Sequence, residues 1–187
     1  MNKRYKVYAL VGPSGCGKDT ILKRLLKKYN KTKMFNHIVS YTSRPRREGE
    51  KDGVTYHYVK PEFFIGNKSM VEMAVFNDWY YGTTLSCYDK DKINIGIFDP
   101  TRLEELLKNP MVDVTVFYVK TKNHLRLIRQ LQRESEPDVQ EIIRRFATDA
   151  VDFQNIEDLC DVVLENDNKF DLHRNILSIL ISARAKV

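Results

Sequence analysis

The chain has 187 residues, a length typical of one compact domain, and 42% of them are hydrophobic, which is enough for a core. No apolar stretch approaches the roughly 20 residues of a membrane-spanning helix, and the net charge of +6 suits a small anionic ligand at least as well as nucleic acid. Cys16, Cys87 and Cys160 lack metal-ligand spacing and favour a reducing compartment. We expect a cytoplasmic protein, either a monomer or a homodimer, that binds neither a membrane nor a nucleic acid.

Predicted strands and helices alternate along most of the chain. The run KVYALVG predicts a strand, and KDTILKRLLKKY predicts a helix with Ile21, Leu22, Leu25 and Leu26 on one face. Further strands are predicted at 35–43, 92–98, 113–120 and 160–167, and further helices at 101–109, 123–134, 139–156 and 171–186. This alternation predicts an α/β fold with a parallel core. The segment 41–92, with short strands and a short helix near KPEFF, interrupts it and is expected to form a separate lobe.

The stretch GPSGCGK, residues 12–18, matches the phosphate-loop pattern G-x-x-x-x-G-K. Its glycines allow backbone N–H groups to turn toward phosphate oxygens, and the helix from Lys18 directs its positive end at the same anion. Lys18 is expected to reach the β- and γ-phosphates of ATP. The predicted ATP-binding residues of this region are Gly12, Pro13, Ser14, Gly15, Cys16, Gly17, Lys18, Asp19 and Thr20.

Asp19 stands where this pattern normally has a serine or threonine that binds Mg²⁺. A carboxylate also binds Mg²⁺, directly or through water. Alternatively, Asp19 caps the start of the helix, a place where aspartate is favoured. The sequence leaves both roles open.

Arg44, Arg46 and Arg47 lie within four residues, followed by Tyr56 and Tyr58. Such a cluster is in itself consistent with a solvated loop. Arginine, however, forms two parallel hydrogen bonds with phosphate, and the tyrosines supply phenol hydroxyls near it in sequence. The segment is therefore a candidate phosphate site.

Three blocks in order, GPSGCGK, SYTSRPRREGEKDGVTYHYV and MVEMAVFNDWYYGTT, resemble guanylate kinase, a nucleoside monophosphate kinase family of the P-loop NTPase superfamily. The resemblance extends roughly over residues 5–182. It implies a P-loop kinase fold: a parallel core sheet flanked by helices, a small mixed α/β lobe for the monophosphate and a helical lid. It places one domain over 1–187, with the core at 1–40, 93–132 and 142–187, the lobe at 41–92 and the lid at 133–141.

The resemblance also implies which residues bind GMP. They are Ser40, Arg44, Arg47, Tyr56, Glu72, Tyr81, Thr83 and Asp99. In these roles the arginines and tyrosines bind the acceptor phosphate, and Glu72 reads guanine. A carboxylate accepts two hydrogen bonds, and guanine offers two adjacent donors, N1–H and the 2-amino group. Ser40 and Thr83 match hydroxyls that donate to guanine O6.

The implied catalytic residues are Lys18, Arg44, Arg47, Arg133 and Arg145. Arg133 and Arg145 match arginines of the lid that meet the charge of the transferred phosphoryl group, with Arg144 a rival to Arg145. Asn166 matches an asparagine near the adenine of ATP. Ile97 stands where the family has a second aspartate before Asp99, so Asp19 and Asp99 remain the candidate ligands for the Mg²⁺ that phosphoryl transfer needs.

The expected reaction transfers phosphate from ATP to GMP or dGMP, giving ADP and GDP or dGDP. Three alternatives stay open. The GKD triplet resembles ribose 1,5-bisphosphate phosphokinases, which lack the guanine-reading block. A monophosphate kinase with another base preference is a second alternative. The third is a guanylate-kinase-like module that binds protein without catalysis, although this chain retains Gly17, Lys18 and the lid arginines.

Overall fold

The computed structural model describes residues 3–29, 32–47, 49–133 and 135–185. The α-helices of these ranges are Lys18–Tyr29 (α1), Pro100–Lys108 (α2), Asn123–Leu131 (α3), Val139–Asp152 (α4) and Lys169–Ala185 (α5). The strands there are Tyr5–Val11 (β1), Phe35–His37 (β2), Tyr41–Thr42 (β3), His57–Tyr58 (β4), Met70–Phe76 (β5), Trp79–Thr84 (β6), Ile93–Ile97 (β7), Val112–Lys120 (β8) and Val162–Glu165 (β9). None of the helices described is long and apolar enough to cross a membrane.

The strands form two sheets. The larger has the order β2-β7-β1-β8-β9, and its pairs β2–β7 and β8–β9 are parallel. The smaller has the order β4-β3-β6-β5 and is mixed, with β6 antiparallel to both β3 and β5. The predicted α/β fold with a parallel central sheet flanked by helices is confirmed. The boundaries of core, lobe and lid stay predictions.

Two compact units share the chain: Met1–Tyr8 with Thr32–Val114, and Ala9–Lys31 with Thr115–Val187. The core of the first unit includes Ile93 and Ile95 of β7 and Leu103 and Leu106 of α2. Apolar residues from two strands and from the helices α1 and α5 form the core of the second. Among these are Leu10, Val11, Ile21, Leu25, Val116, Phe117, Ile176 and Ile179.

The predicted strand at 35–43 is two strands in different sheets, β2 and β3. The amide of Ile38 still bonds to the carbonyl of Ile95, while the carbonyl of Ser40 accepts from the amide of His57 in the other sheet. No glycine or proline marks this change of sheet in the sequence. The short helix expected near KPEFF is a 3₁₀ turn at Pro61–Phe63, with proline at its first position as the missing N–H allows.

A tight hairpin joins β5 to β6. Asn77 and Asp78 have positive φ angles of 48° and 61°, the conformation that a two-residue turn between paired strands requires and that these residue types tolerate. The register shifts between Met70 and Glu72, a local irregularity of the kind that redirects side chains. Beyond it, Glu72 pairs with Thr83 across the strands, so the turn and the shift position two of the predicted GMP-binding residues.

Candidate active site

The predicted phosphate loop connects β1 to α1, the order that such a loop requires. Gly15 and Gly17 have φ angles of 79° and 101°, which side chains strongly disfavour. A Cβ atom at Gly12 would lie 2.6 Å from the carbonyl oxygen of Val119. The loop therefore depends on its glycines both for its turns and for its close approach to β8.

Lys18 begins α1 and folds back over the loop. Its Nζ donates hydrogen bonds to the carbonyl oxygens of Gly12 and Pro13, the second at 3.1 Å. Both partners are neutral, so no carboxylate pairs with the ammonium group among the residues that the structure describes. An anionic phosphate would compete well for this cation because a charge-assisted hydrogen bond is the stronger kind.

Asn166 and Thr121 support the far side of the loop. Both side chains donate to the carbonyl oxygen of Cys16, at 2.7 and 3.1 Å, and Arg129 donates to the carbonyl of Asn166 at 2.8 Å. Asn166 was predicted to lie near adenine. Its side chain is buried and binds the phosphate loop, and its position near the adenine of ATP stays a prediction.

A buried ion pair holds Ser14 at the tip of the loop. Asp149 of α4 accepts a hydrogen bond from the amide of Ser14 at 2.8 Å. Arg126 of α3 donates one to the carbonyl oxygen of Ser14 at 2.9 Å. The two charged groups bind each other at 2.5 Å, and the guanidinium lies 4.4 Å from the centre of the Phe146 ring. Both backbone groups of one loop residue are thus fixed by α3 and α4. Neither charged residue was predicted from the sequence.

Asp19 is the second residue of α1, and its side chain is exposed. The N-cap position belongs to Gly17, whose carbonyl accepts the first helical bond, from Ile21 at 3.1 Å. Capping by Asp19 is therefore wrong, although its charge still favours the positive end of the helix. In the described part of the chain, the Asp19 carboxylate makes no hydrogen bond that would occupy it. The buried Nε2 of Gln130 has no hydrogen-bond partner among the described residues. The Gln130 side chain lies beside Gly15 of the loop.

Glu72 lies in a polar cluster of the first unit that also contains Ser40 and Thr83. It is 3% exposed, and its Oε1 accepts from Thr83 at 2.8 Å. Arg102 of α2 donates from Nε to Oε2 and from Nη2 to Oε1, both at 2.7 Å, and Nη2 also reaches Ser40 at 2.8 Å. Burial alone would lower the pKa of Arg102, but the Glu72 carboxylate outweighs this and raises it. The structure brings together the three predicted residues and adds Arg102.

Asp99 is the N-cap of α2, where its carboxylate accepts from the amide of Arg102 at 3.0 Å. Its side chain is half exposed, so one edge of the carboxylate faces solvent. Within the described ranges, no group of three histidine, cysteine or acidic side chains is arranged to hold a metal.

Glu50 binds Arg44, one of the predicted acceptor-phosphate residues. Arg44 donates to both oxygens of this carboxylate at 2.8 and 2.9 Å, and Tyr58 donates to it at 2.8 Å. Burial alone would raise the pKa of Glu50, but its hydrogen bond from Arg44 prevails and lowers it to about 2. Tyr56 lies between Arg44, 5.7 Å from its ring centre, and Tyr81, 5.9 Å away. The side chain of Arg47 is exposed, with no hydrogen bond in the part of the chain described.

Arg145 and its rival Arg144 both bind one carboxylate, that of Glu141. Arg144 donates to Glu141 from Nε at 2.6 Å, and Arg145 donates to the same side chain at 2.7 Å. The hydrogen bond from Arg144, followed by that from Arg145, lowers the pKa of Glu141 to about 2. Arg133 lies beyond α3 and is exposed. The structure therefore gives Arg144 and Arg145 the same partner and does not distinguish between them.

Comparison with known proteins identifies the family of the chain. A family profile described as guanylate kinase matches residues 4–183. The guanylate kinase of Mycoplasma genitalium is 31% identical over 191 residues, covering 97% of this chain and 78% of the relative. The guanylate kinase of Helicobacter pylori strain J99 is 31% identical over 173 residues, covering 89% of this chain and 82% of the relative. The chain belongs to the guanylate kinase family.

Membership of the guanylate kinase family makes the chain an enzyme, a nucleotide-binding kinase that uses ATP. A crystal structure of guanylate kinase from Anaplasma phagocytophilum shares the fold, with a TM-score of 0.68 and 22% identity over all of this chain and 88% of that one.

Arg102 is a site residue that the sequence analysis does not identify, although the sequence contains a signal for it. It lies on the face of α2 that carries Leu103 and Leu106, where a charged residue needs a buried partner.

Proposed function

We propose that this chain transfers the γ-phosphoryl group of ATP to GMP or dGMP, giving ADP and GDP or dGDP. The observation that carries the proposal is the buried cluster of Glu72, Ser40 and Thr83, a carboxylate with two hydroxyls in the unit that also holds Arg44 and Tyr56. A nucleotide base needs donors and acceptors in fixed positions, and a buried cluster supplies them. The arginine and the tyrosine lie in a group suited to a phosphate.

On the donor side, backbone amides of the loop, such as those of Gly15 and Gly17, bind the phosphates of ATP and Lys18 supplies the positive charge. The loop forms hydrogen bonds with Asn166, Arg126 and Asp149. These bonds support this role because they fix the loop before the nucleotide binds. Arg133 and Arg145 stabilise the negative charge of the phosphoryl group in the transition state of its transfer. We expect direct in-line transfer, with no covalent intermediate on a side chain.

On the acceptor side, Arg47 and Arg44 bind the monophosphate together with Tyr56 and Tyr81. Arg47 is exposed and available. Arg44 donates from Nη2 to both oxygens of Glu50, and this carboxylate holds the guanidinium in place for the phosphate.

Mg²⁺ fits this chain as an ion held by few protein ligands. Asp19 supports this assignment because its exposed carboxylate accepts no hydrogen bond within the described residues, and Asp99 is the second candidate. Mg²⁺ in kinases is usually held by one or two carboxylates with substrate phosphates and water. When bound, it neutralises charge on the phosphate oxygens.

The deciding experiment measures ADP formation with Mg-ATP and a panel of acceptors: GMP, dGMP, AMP, CMP, UMP, dTMP and ribose 1,5-bisphosphate. Turnover with GMP or dGMP supports the proposal. Turnover with ribose 1,5-bisphosphate alone would show that the chain is a sugar-phosphate kinase. A folded protein that binds ATP and turns over no acceptor would instead be a binding module. The cytoplasmic location and the monomer or homodimer stay predictions.

A further inference from the structure

The strand β5 lies at the edge of the smaller sheet and is long for an edge strand. Because the order of that sheet is β4-β3-β6-β5, β5 pairs with β6 on one side only. It has seven residues, whereas the other edge strands in the described ranges, β2, β4 and β9, have three, two and four. A long edge strand offers a row of backbone N–H and C=O groups to a further strand.

The register shows which backbone groups of β5 face this edge. Along an antiparallel pair, residues that bond to the partner strand alternate with residues whose N–H and C=O groups face away from it. Phe76 and Trp79 close a two-residue hairpin and so form a bonded pair, which places Val75 and Met73 among the residues that face away. Tyr80, opposite Val75, agrees with this pattern, because its amide and carbonyl both bind the residue that follows β3. Met73 and Val75 therefore direct their backbone groups outward.

The outward groups of β5 form a short open edge. Neither Met73 nor Val75 has a backbone hydrogen bond across it to any residue that the structure describes, and their side chains are exposed, Val75 by 57%. Toward the start of β5 the edge is closed, since the Asn109 side chain donates to the carbonyl oxygen of Val71 at 3.1 Å. Residues 73–76 include no charged residue and no proline, the usual protection of an edge against pairing.

A second copy of the same edge complements it. If two β5 strands run antiparallel about a two-fold axis at Ala74, Met73 of each copy lies opposite Val75 of the other. Both pairs then exchange N–H···O=C bonds, which satisfies all the outward groups of Met73 and Val75. The exposed side chains of these residues also cover each other on one face of the joined sheets. The small side chain of Ala74 at the axis allows the two strands to approach.

The charges beside this edge favour the antiparallel arrangement. Lys68 precedes β5 and Asp78 lies in the hairpin turn after it, and both are exposed. Neither forms an ion pair with another residue in the described part of the chain. Antiparallel pairing brings the basic end of one copy toward the acidic end of the other, whereas parallel pairing would bring like charges together. The edge is therefore complementary to itself in charge as well as in hydrogen bonding.

We propose that β5 is a dimerisation edge, through which two copies of the chain pair antiparallel at Met73–Val75 and join their smaller sheets into one. The occupant is a second copy of this chain, and the inference does not rest on the proposed function. Because the contact is small, the dimer is expected to be weak, with a dissociation constant on the order of 1–100 µM.

Sedimentation equilibrium of the full chain from about 1 to 300 µM tests the proposal. Wild type should change from monomer to dimer over this range. Val75→Lys adds one charge from each copy to the interface and should raise the dissociation constant about a hundredfold or more. Val163→Lys, at an exposed valine of the edge strand β9, is the matched control and should leave it unchanged. A wild type that stays monomeric throughout, or a dimer that Val75→Lys does not weaken, would overturn the proposal.

Cysteine cross-linking tests the register and does not require the lysine variant to fold. Directly opposed residues that do not exchange hydrogen bonds have Cα atoms about 4.5 Å apart, within the range of a disulfide. Ala74→Cys should therefore form a linked dimer with oxidised glutathione about tenfold faster than Val75→Cys, which lies opposite Met73 and not opposite itself. Wild type, with Cys16, Cys87 and Cys160 free, gives the background rate. Equal rates for the two variants, or rates no higher than that background, would contradict the proposed pairing.

Discussion

The carboxylate of Asp149 accepts a hydrogen bond from the backbone amide of Ser14 at 2.8 Å, while its partner Arg126 binds the carbonyl oxygen of the same residue. One ion pair thus fixes both polar groups at the tip of the phosphate loop. Because α3 and α4 each supply one member, the two helices next to the predicted lid are tied to the loop through a single residue.

Asp149→Asn should therefore weaken ATP binding. The amide side chain keeps an oxygen for Ser14 but loses the charge that pairs with Arg126, and a hydrogen bond to a charged group contributes about 1.5–3 kcal/mol. We expect KM for ATP to rise about tenfold while KM for GMP stays within about twofold. Val151→Ala, an exposed change on the same helix, is the control. Equal increases in both KM values would show general damage instead.

The two arginines bound to Glu141 should differ in catalysis. Arg145→Met should lower kcat by about a hundredfold or more, because an arginine that meets transition-state charge contributes at least that much. Arg144→Met should change kcat by less than about fivefold, since its loss leaves Arg145 with the whole carboxylate. Steady-state rates at saturating ATP and GMP measure both. The opposite order of effects would assign the catalytic role to Arg144.

Glu50 should make stability depend on acid pH. Its pKa falls from an ordinary 4.5 to about 2 in the folded chain, so its stabilising contribution is present above pH 4.5 and disappears as the pH falls through about 2. Glu50→Gln should therefore lower the thermal unfolding midpoint at pH 7 and leave it close to that of wild type near pH 2. A constant difference between the two proteins across this range would show that the charge is not responsible.

Asp19→Asn tests the assigned metal role. Removing the charge should raise the Mg²⁺ concentration for half-maximal activity several-fold, because a neutral amide is a weaker ligand for a hard cation. The maximal rate at saturating Mg²⁺ should change less. Lys23→Ala, an exposed change one turn further along α1, provides the control for a general disturbance of the helix. An unchanged Mg²⁺ dependence would exclude Asp19 as a ligand.

Regular patterns in the sequence predict most elements, because a glycine loop after an apolar strand and helical spacing of leucines are local signals. The predicted strand at 35–43 fails because the chain changes sheets at 38–40 without a turn residue. The partners of the site residues are predictable only where they are local, as with Glu141, which lies four residues before Arg145 on α4. Arg102, the partner of Glu72, depends instead on which elements pack together. Arg102 and Glu72 are 30 residues apart, and nothing local relates them.

The buried pair of Glu72 and Arg102 also limits how these two positions diverge among descendants of this chain. Loss of either residue alone strands the other charge in the interior and costs about 3–5 kcal/mol, a large part of the stability of a typical domain. The effects of substitutions at the two sites on stability are therefore not additive. Variants that carry only one of the two changes should be selected against. Related sequences should therefore keep both residues or replace both, so a change at one position requires a coordinated change at the other.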